Sequence, residues 1–158
     1  MARQQNSPPP KIRVFLADDE PFVRKGLRLL LGLEADLIIC GEAESEQGAV
    51  DGIVKLRPDL AVVDLSLEGG DGLSLIRRLH ELCPTLKILV FSMHDQADVA
   101  TAAFIAGAHG YVVKDEGTEN VVEAIRVLMN GGCYLSQHIA AKAPDLVPRT
   151  GPHRRPRN

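Results

Sequence analysis

The 158-residue sequence predicts an α/β fold in which a doubly wound, five-stranded parallel sheet takes the order 2-1-3-4-5. Short apolar runs without alternation predict strands that are buried on both faces. An amphipathic helical pattern follows each run, and the pair repeats at intervals of roughly 25 residues. Such repetition indicates parallel strands joined by helices that cover both faces of the sheet.

Composition and charge are typical of a globular protein without a membrane segment. Apolar residues make up 45% of the chain, and no apolar run approaches the ~18 residues of a membrane span. Residues 1–11 are polar and rich in proline without a signal segment, so we expect a disordered leader and a cytoplasmic protein. The net charge of −3 combines an acidic body with a basic tail, which argues against nucleic-acid binding by the body itself.

The first β-α unit is the best defined. An apolar run predicts a strand over 12–17, and Pro21 suits the first turn of the helix that follows. Val23, Leu27, Leu30 and Leu31 form the stripe expected to face the sheet. Phe22 and Leu29, together with Leu33 and Gly26, form a second stripe, which is available to a partner because one stripe suffices for packing.

The later elements follow from the same patterns and from stop signals. Strands are predicted at 37–43, 59–64, 86–91 and 111–113, and helices at 46–57, 71–82, 96–106 and 118–130. The inner faces of the second and third helices are predicted to carry Ala49, Ile53, Val54, Leu56, Leu73, Ile76, Leu79 and either Leu82 or Cys83. Ser45 is the expected N-cap of the second helix, and Ser136 that of a short helix at about 137–143.

Polar side chains follow the strands at the edge where ligands bind in open α/β sheets. The first strand ends at Asp18 and Asp19, the third at Asp64, the fourth at Ser92 and the fifth at Lys114. In the order 2-1-3-4-5 these four strands are neighbours. The sequence therefore predicts three carboxylates, a hydroxyl and an ammonium group around one point.

Three carboxylates held close together repel one another, and a hard cation relieves that repulsion. Oxygen-only ligands at an open site favour Mg²⁺, for which Asp19, Asp64 and the backbone carbonyl of Ser66 are candidate ligands beside Asp18. An aspartate in this setting can also attack phosphorus and form an acyl phosphate. Lys114 would offset the charge on the transferred group, and Ser92 would donate a hydrogen bond to it.

These residues resemble the receiver domain of bacterial two-component response regulators. The separations of Asp64, Ser92 and Lys114 along the chain agree with that family, as does Tyr111. The phrases at 92–95, 106–111 and 113–115 are similar to the NarL/FixJ-type branch. The resemblance covers about residues 11–135 and implies a flavodoxin-like receiver domain at 12–133. The remaining sequence predicts a short extension helix within 134–143 and, because periodicity ends there, a tail at 144–158.

The resemblance implies a signalling switch and not an enzyme with a separate substrate. A sensor histidine kinase would phosphorylate Asp64, and Ser92 and Tyr111 would then move to reshape the face of the fourth helix, fifth strand and fifth helix. The stripe of Phe22, Gly26 and Leu29 resembles the kinase-docking surface. Slow self-hydrolysis would be modulated by Ser66 and His94, homodimers could form on phosphorylation, and the usual output is control of transcription.

Three departures from the family pattern stand out. Glu68, followed by Gly69-Gly70, replaces the usual proline after the phosphorylated aspartate, which predicts a looser loop. Asp115 replaces a proline after Lys114, so the geometry of that peptide bond is open. No helix-turn-helix domain is expected after the receiver, so DNA would be bound only through an output domain absent from this chain. Residues 146–149 resemble a thrombin site, so the tail is either disordered or derived from an expression vector.

Two alternatives stay open at the level of sequence. The altered loop at 68–70 would suit a pseudo-receiver, which acts as a binding scaffold and never takes a phosphoryl group. Asp18 followed by Glu20 would suit a haloacid-dehalogenase-like phosphohydrolase with Asp18 as nucleophile, although that class carries aspartate at the second position and a cap insertion.

Overall fold

One parallel sheet of six strands forms the centre of the computed structural model, which describes residues 9–146. The strands are β1 (Ile12–Ala17), β2 (Leu37–Ala43), β3 (Leu60–Val63), β4 (Lys87–Ser92), β5 (Gly110–Val113) and β6 (Tyr134–Leu135). Their order is β2-β1-β3-β4-β5-β6, and all five pairings are parallel. The predicted order 2-1-3-4-5 is confirmed, and β6 is an additional short strand.

The helices follow the strands as the periodicity predicts. They are α1 (Pro21–Gly32), α2 (Glu46–Leu56), α3 (Gly72–Leu82), α4 (Ala97–Ala106), α5 (Glu119–Met129) and α6 (Gln137–Lys142), with short 3-10 helices at Lys114–Glu116 and Pro144–Leu146. Ser45 caps α2 as predicted, because its hydroxyl accepts a hydrogen bond from the Gly48 N–H at 3.1 Å. None of the helices within residues 9–146 combines the length and the apolar character needed to cross a membrane.

Both faces of the sheet are covered, which explains the unbroken apolar runs of the central strands. Alternate residues of β1 point to opposite sides: Phe15 belongs to the core cluster that includes residues of α2, α3, α4 and α6, and Leu16 to the cluster that includes residues of α1 and α5. β3 alternates in the same way between Val62 and Val63. A strand with two apolar faces shows no period of two, so periodicity identifies the strand without assigning its faces.

One predicted core position, Val54, is wrong, and of the alternatives Leu82 and Cys83 it is Cys83 that packs against the core. Val54 and Leu82 are 44% and 55% exposed, and Val50 and Leu75 are buried in their place. Both exposed residues lie in the last turns of α2 and α3, where they line a surface crevice with Pro84 instead of reaching the sheet.

The segment after α5 packs onto the domain. Tyr134-Leu135 extends the sheet beside β5, and Ile139 of α6 is fully buried in the cluster that contains α4. Ser136 does not act as the predicted side-chain cap, because its hydroxyl makes no capping hydrogen bond. Its backbone N–H donates to the Tyr111 carbonyl at 2.9 Å. Residues 1–8 of the predicted leader and 147–158 of the predicted tail lie outside the described residues.

Candidate functional site

The carboxyl edge of the sheet brings together the residues that the sequence places there. Asp18 and Asp64 follow β1 and β3 and are each 3% exposed, Ser92 ends β4 and is fully buried, and Lys114 follows β5. Backbone hydrogen bonds fix the two aspartates, since the Asp18 N–H donates to the Ala43 carbonyl at 3.0 Å and the Asp64 N–H donates to the Ala17 carbonyl at 2.9 Å. The edge therefore holds charged groups in a largely desolvated setting.

Lys114 is the centre of this arrangement. Its Nζ lies 2.9 Å from Asp18 Oδ2, 3.0 Å from Asp64 Oδ2 and 3.0 Å from Glu20 Oε1. The ammonium also lies 5.8 Å from the centroid of the Phe91 ring. Lys114 lies with the aspartates at one point, as the sequence predicts, and the contact with Glu20 is an addition that the sequence analysis did not predict.

Burial and charge act on these groups in opposite directions. Burial alone would lower the pKa of Lys114, but its hydrogen bonds to Asp18, Glu20 and Asp64 outweigh that effect and raise the pKa above its usual range. Burial raises the pKa of Asp18, and the hydrogen bond from Lys114 only partly opposes it. The lysine therefore stays charged at neutral pH and neutralises part of a carboxylate cluster.

The donor set fits a hard divalent cation. Oxygens of Asp18, Asp19, Glu20 and Asp64 can all lie within 4.8 Å of one another, and each is a carboxylate oxygen. Asp19 and Glu20 are exposed and open to water, whereas Asp18 and Asp64 are buried. Oxygen-only donors beside open solvent are the ligands that Mg²⁺ prefers. Glu20 joins the predicted candidates, and Ser66 lies next to them, with its backbone N–H 3.1 Å from Asp64 Oδ1.

A hydrogen-bonded chain connects Ser92 to Tyr111 through the loop after β4. The His94 N–H donates to Ser92 Oγ at 3.2 Å, and the Tyr111 hydroxyl donates to the His94 carbonyl at 2.7 Å. Tyr111 lies fully inside the protein, where burial raises the pKa of its hydroxyl to about 12. Ser92 and Tyr111, the two predicted switch residues, are thus both hydrogen-bonded to the backbone of His94 in this loop.

The second stripe of α1 is open to solvent. Phe22 is 88% exposed, Leu29 is 66% exposed and Leu33 is 82% exposed, with Gly26 partly exposed between them. The other stripe packs inward through Leu27 and Leu31, as the periodicity predicts.

The two local departures have defined structures. The loop after β3 is attached to the start of α2, because the Glu46 N–H donates to the Glu68 carbonyl at 3.1 Å and Ser45 forms a parallel bridge with Glu68. Gly69 has a φ of +89°, a conformation that suits glycine. Lys114 and Asp115 are joined by a trans peptide, as are all other described residues.

Comparisons with known proteins agree with this geometry. Residues 14–126 match the family described as the response regulator receiver domain. The chain is 37% identical over 130 residues to the DNA-binding transcriptional activator DevR/DosR of Mycobacterium tuberculosis, which covers 82% of this chain and 60% of the relative. It is 31% identical over 124 residues to the nitrate/nitrite response regulator protein NarL of Escherichia coli, covering 78% of this chain and 57% of NarL.

Solved structures give the same picture. A LuxR-family two-component response regulator from Aurantimonas aligns with a TM-score of 0.81 and 32% identity, covering 85% of this chain and 96% of that one. The isolated receiver domain of RcsB from Salmonella enterica aligns with a TM-score of 0.78 and 26% identity, covering 83% and 97%.

The chain spans between half and two thirds of the length of the curated relatives it matches. The match runs from β1 into α5, and it includes every strand that contributes to the acidic edge. This excludes the haloacid-dehalogenase-like alternative, and the chain belongs to the response regulator receiver domain family of two-component signalling proteins.

Proposed function

We propose that Asp64 accepts a phosphoryl group from a sensor histidine kinase and that the domain acts as a phosphorylation-dependent switch. One observation carries this proposal: the buried Asp64 carboxylate lies 3.0 Å from the Lys114 ammonium, within a cluster of acidic oxygens. A buried carboxylate with a fixed cation beside it suits a nucleophile whose product carries additional negative charge.

In the transfer step, a carboxylate oxygen of Asp64 attacks the phosphorus and the bond from phosphorus to the donor group breaks. The donor group leaves with the electron pair, and an acyl phosphate forms on Asp64. Lys114 offsets charge on the phosphoryl oxygens, and the Ser92 hydroxyl donates a hydrogen bond to one of them. Asp18, Asp19 and Asp64, with the Ser66 carbonyl, would hold Mg²⁺, which when bound supplies further charge neutralisation.

Loss of the phosphoryl group would reset the switch. Ser66 and His94 are exposed residues that follow β3 and β4, so we assign to them the approach of the attacking water. This chemistry would be self-catalysed and slow. Because no separate substrate is turned over, the domain is a signalling device and not an enzyme in the usual sense.

The signal would leave through the loop after β4. Movement of the Ser92 hydroxyl toward the phosphoryl group removes the acceptor of the His94 N–H. The carbonyl of His94 in turn accepts the hydrogen bond from the Tyr111 hydroxyl. A change at Asp64 therefore reaches β5 in two hydrogen-bonded steps. The face of α4, β5 and α5 is the surface that we expect to change shape.

The proposed partners follow from the exposed surfaces and from the relatives. Phe22, Gly26 and Leu29 would dock the kinase, since this apolar stripe is exposed along α1, the helix that follows Asp18 and Asp19. DevR/DosR is a DNA-binding transcriptional activator, and one RcsB structure contains two dimers bound to DNA. By analogy, the whole protein would control transcription and could form homodimers on phosphorylation.

Intact-mass measurement after incubation with acetyl phosphate and Mg²⁺ tests the proposal. Wild type and Asp51→Asn, an exposed aspartate on α2, should each gain one phosphoryl group, whereas Asp64→Asn should gain none. Absence of a gain in wild type, with phosphorylated histidine kinase as donor as well, would favour the pseudo-receiver. A gain that survives in Asp64→Asn would show that another residue is the acceptor.

A further inference from the structure

Carboxylates surround the Lys114 ammonium in this structure, with Glu20 and Asp64 as hydrogen-bond acceptors and Asp18 as an ion-pair partner. A lysine ammonium has three donors and no acceptor, and Lys114 faces three carboxylates, Asp18, Glu20 and Asp64, at 2.9 to 3.0 Å. A phosphoryl oxygen on Asp64 would compete with these three carboxylates for the Lys114 ammonium, so its charge-assisted hydrogen bond to Lys114 forms most readily when one of the contacts is given up.

The three partners differ sharply in how easily they can be released. The side chains of Asp18 and Asp64 are 4% and 2% exposed, and that of Glu20 is 55% exposed. A buried carboxylate that loses its donor is left unsatisfied, whereas an exposed one is hydrated again. Glu20 is therefore the partner that Lys114 can release at the lowest cost.

We propose that Glu20 is a positioning residue that restrains Lys114 before phosphorylation and is displaced from it by the incoming phosphoryl group. This inference rests on the proposed function and adds a residue that limits how fast and how tightly the site takes a phosphoryl group. Glu20 acts through Lys114 and does not itself join the acyl-phosphate chemistry. Its negative charge, beside Asp18 and Asp19, opposes an anionic phosphodonor as well.

The test compares Glu20→Gln and Glu20→Ala with wild type at saturating Mg²⁺, so that changes in Mg²⁺ affinity do not contribute. Phosphorylation by acetyl phosphate should be about two- to fivefold faster in both variants, as expected for loss of a half-exposed ion pair. The matched control is Glu44→Gln, which removes one exposed charge that follows β2 and lies 3.9 Å from Arg24. Its rate should equal that of wild type.

Two readouts separate this role from a merely structural one. The affinity for beryllofluoride, measured at equilibrium by fluorine NMR, should rise by a similar factor in Glu20→Ala, because the restraint stabilises only the unliganded state. The difference in rate between wild type and Glu20→Ala should shrink as KCl is raised, because salt screens an exposed ion pair.

The outcomes distinguish the role of Glu20 from the phosphorylation of Asp64. Phosphorylation of wild type on Asp64 with unchanged rate and beryllofluoride affinity in both Glu20 variants would overturn the role of Glu20 and leave the proposed function intact. Equal acceleration in Glu44→Gln would also overturn it, since the effect would then be one of general charge. No phosphorylation of any form, including wild type, by acetyl phosphate or by phosphorylated histidine kinase would contradict the proposed function itself.

Discussion

Replacement of Ile139 by alanine tests whether α6 belongs to the folding unit or is an appendage. Ile139 is fully buried in the cluster that contains α4, although it lies beyond the predicted end of the domain at residue 133. Ile139→Ala removes three carbons, which corresponds to about 2.4 kcal/mol of transfer free energy. Because the cavity adds to this, we expect a loss of about 3 kcal/mol in the free energy of unfolding.

Urea denaturation of the full chain at 25 °C measures this loss, with Ile105→Ala as the matched control. Ile105 lies on α4 and is 82% exposed, so the same substitution there should change the free energy of unfolding by less than about 0.5 kcal/mol. In thermal unfolding, Ile139→Ala should lower the melting temperature by about 6–12 °C. Values for Ile139→Ala within 0.5 kcal/mol of the control would refute the reasoning and indicate that α6 frays from the domain.

Three further predictions concern capping, pH and a buried hydroxyl. Ser45→Ala removes the N-cap of α2 and should lower the free energy of unfolding by about 1 kcal/mol in urea denaturation; no change would mean that water replaces the cap. Burial, and then nearby Lys87 and His80, lower the pKa of His109, whose Nδ1 accepts the Ile88 N–H at 3.1 Å. Because the unfolded state binds the proton more readily, the free energy of unfolding should fall as the pH drops below about 6.5, and His109→Gln should decline less steeply between pH 7 and pH 5.5. Ultraviolet titration should show that the Tyr111 hydroxyl ionises near pH 12, and ionisation near pH 10 would contradict its burial.

The main elements of the candidate site could be predicted because the β-α order alone decides which strand ends meet. Asp18, Asp64, Ser92 and Lys114 follow neighbouring strands, so their convergence needs only the topology. Glu20 could not be assigned in this way. It follows the same strand, but its contact with Lys114 depends on the turn at the start of α1 and on a side-chain conformation that no pattern encodes.

The short elements were the least predictable. β6 has two residues, too few to show a period, and it forms because Gly110 and Tyr111 of β5 offer backbone partners to Tyr134 and Leu135. Helical spacing predicts Val54 on the inner face of α2, but the spacing does not reveal that the last turn of the helix lines a surface crevice.

The fold class, the strand order 2-1-3-4-5 and the acidic edge could all be predicted from the amino-acid sequence, because they depend on local periodicity and on the fixed geometry of parallel β-α units. Tertiary structure alone decided which partners share the Lys114 ammonium, and it placed Tyr111 inside the protein and α6 in the core. These features depend on distances of about 3 Å between residues far apart in the chain, and on which surfaces exclude water. Neither quantity is a property of any local stretch of sequence.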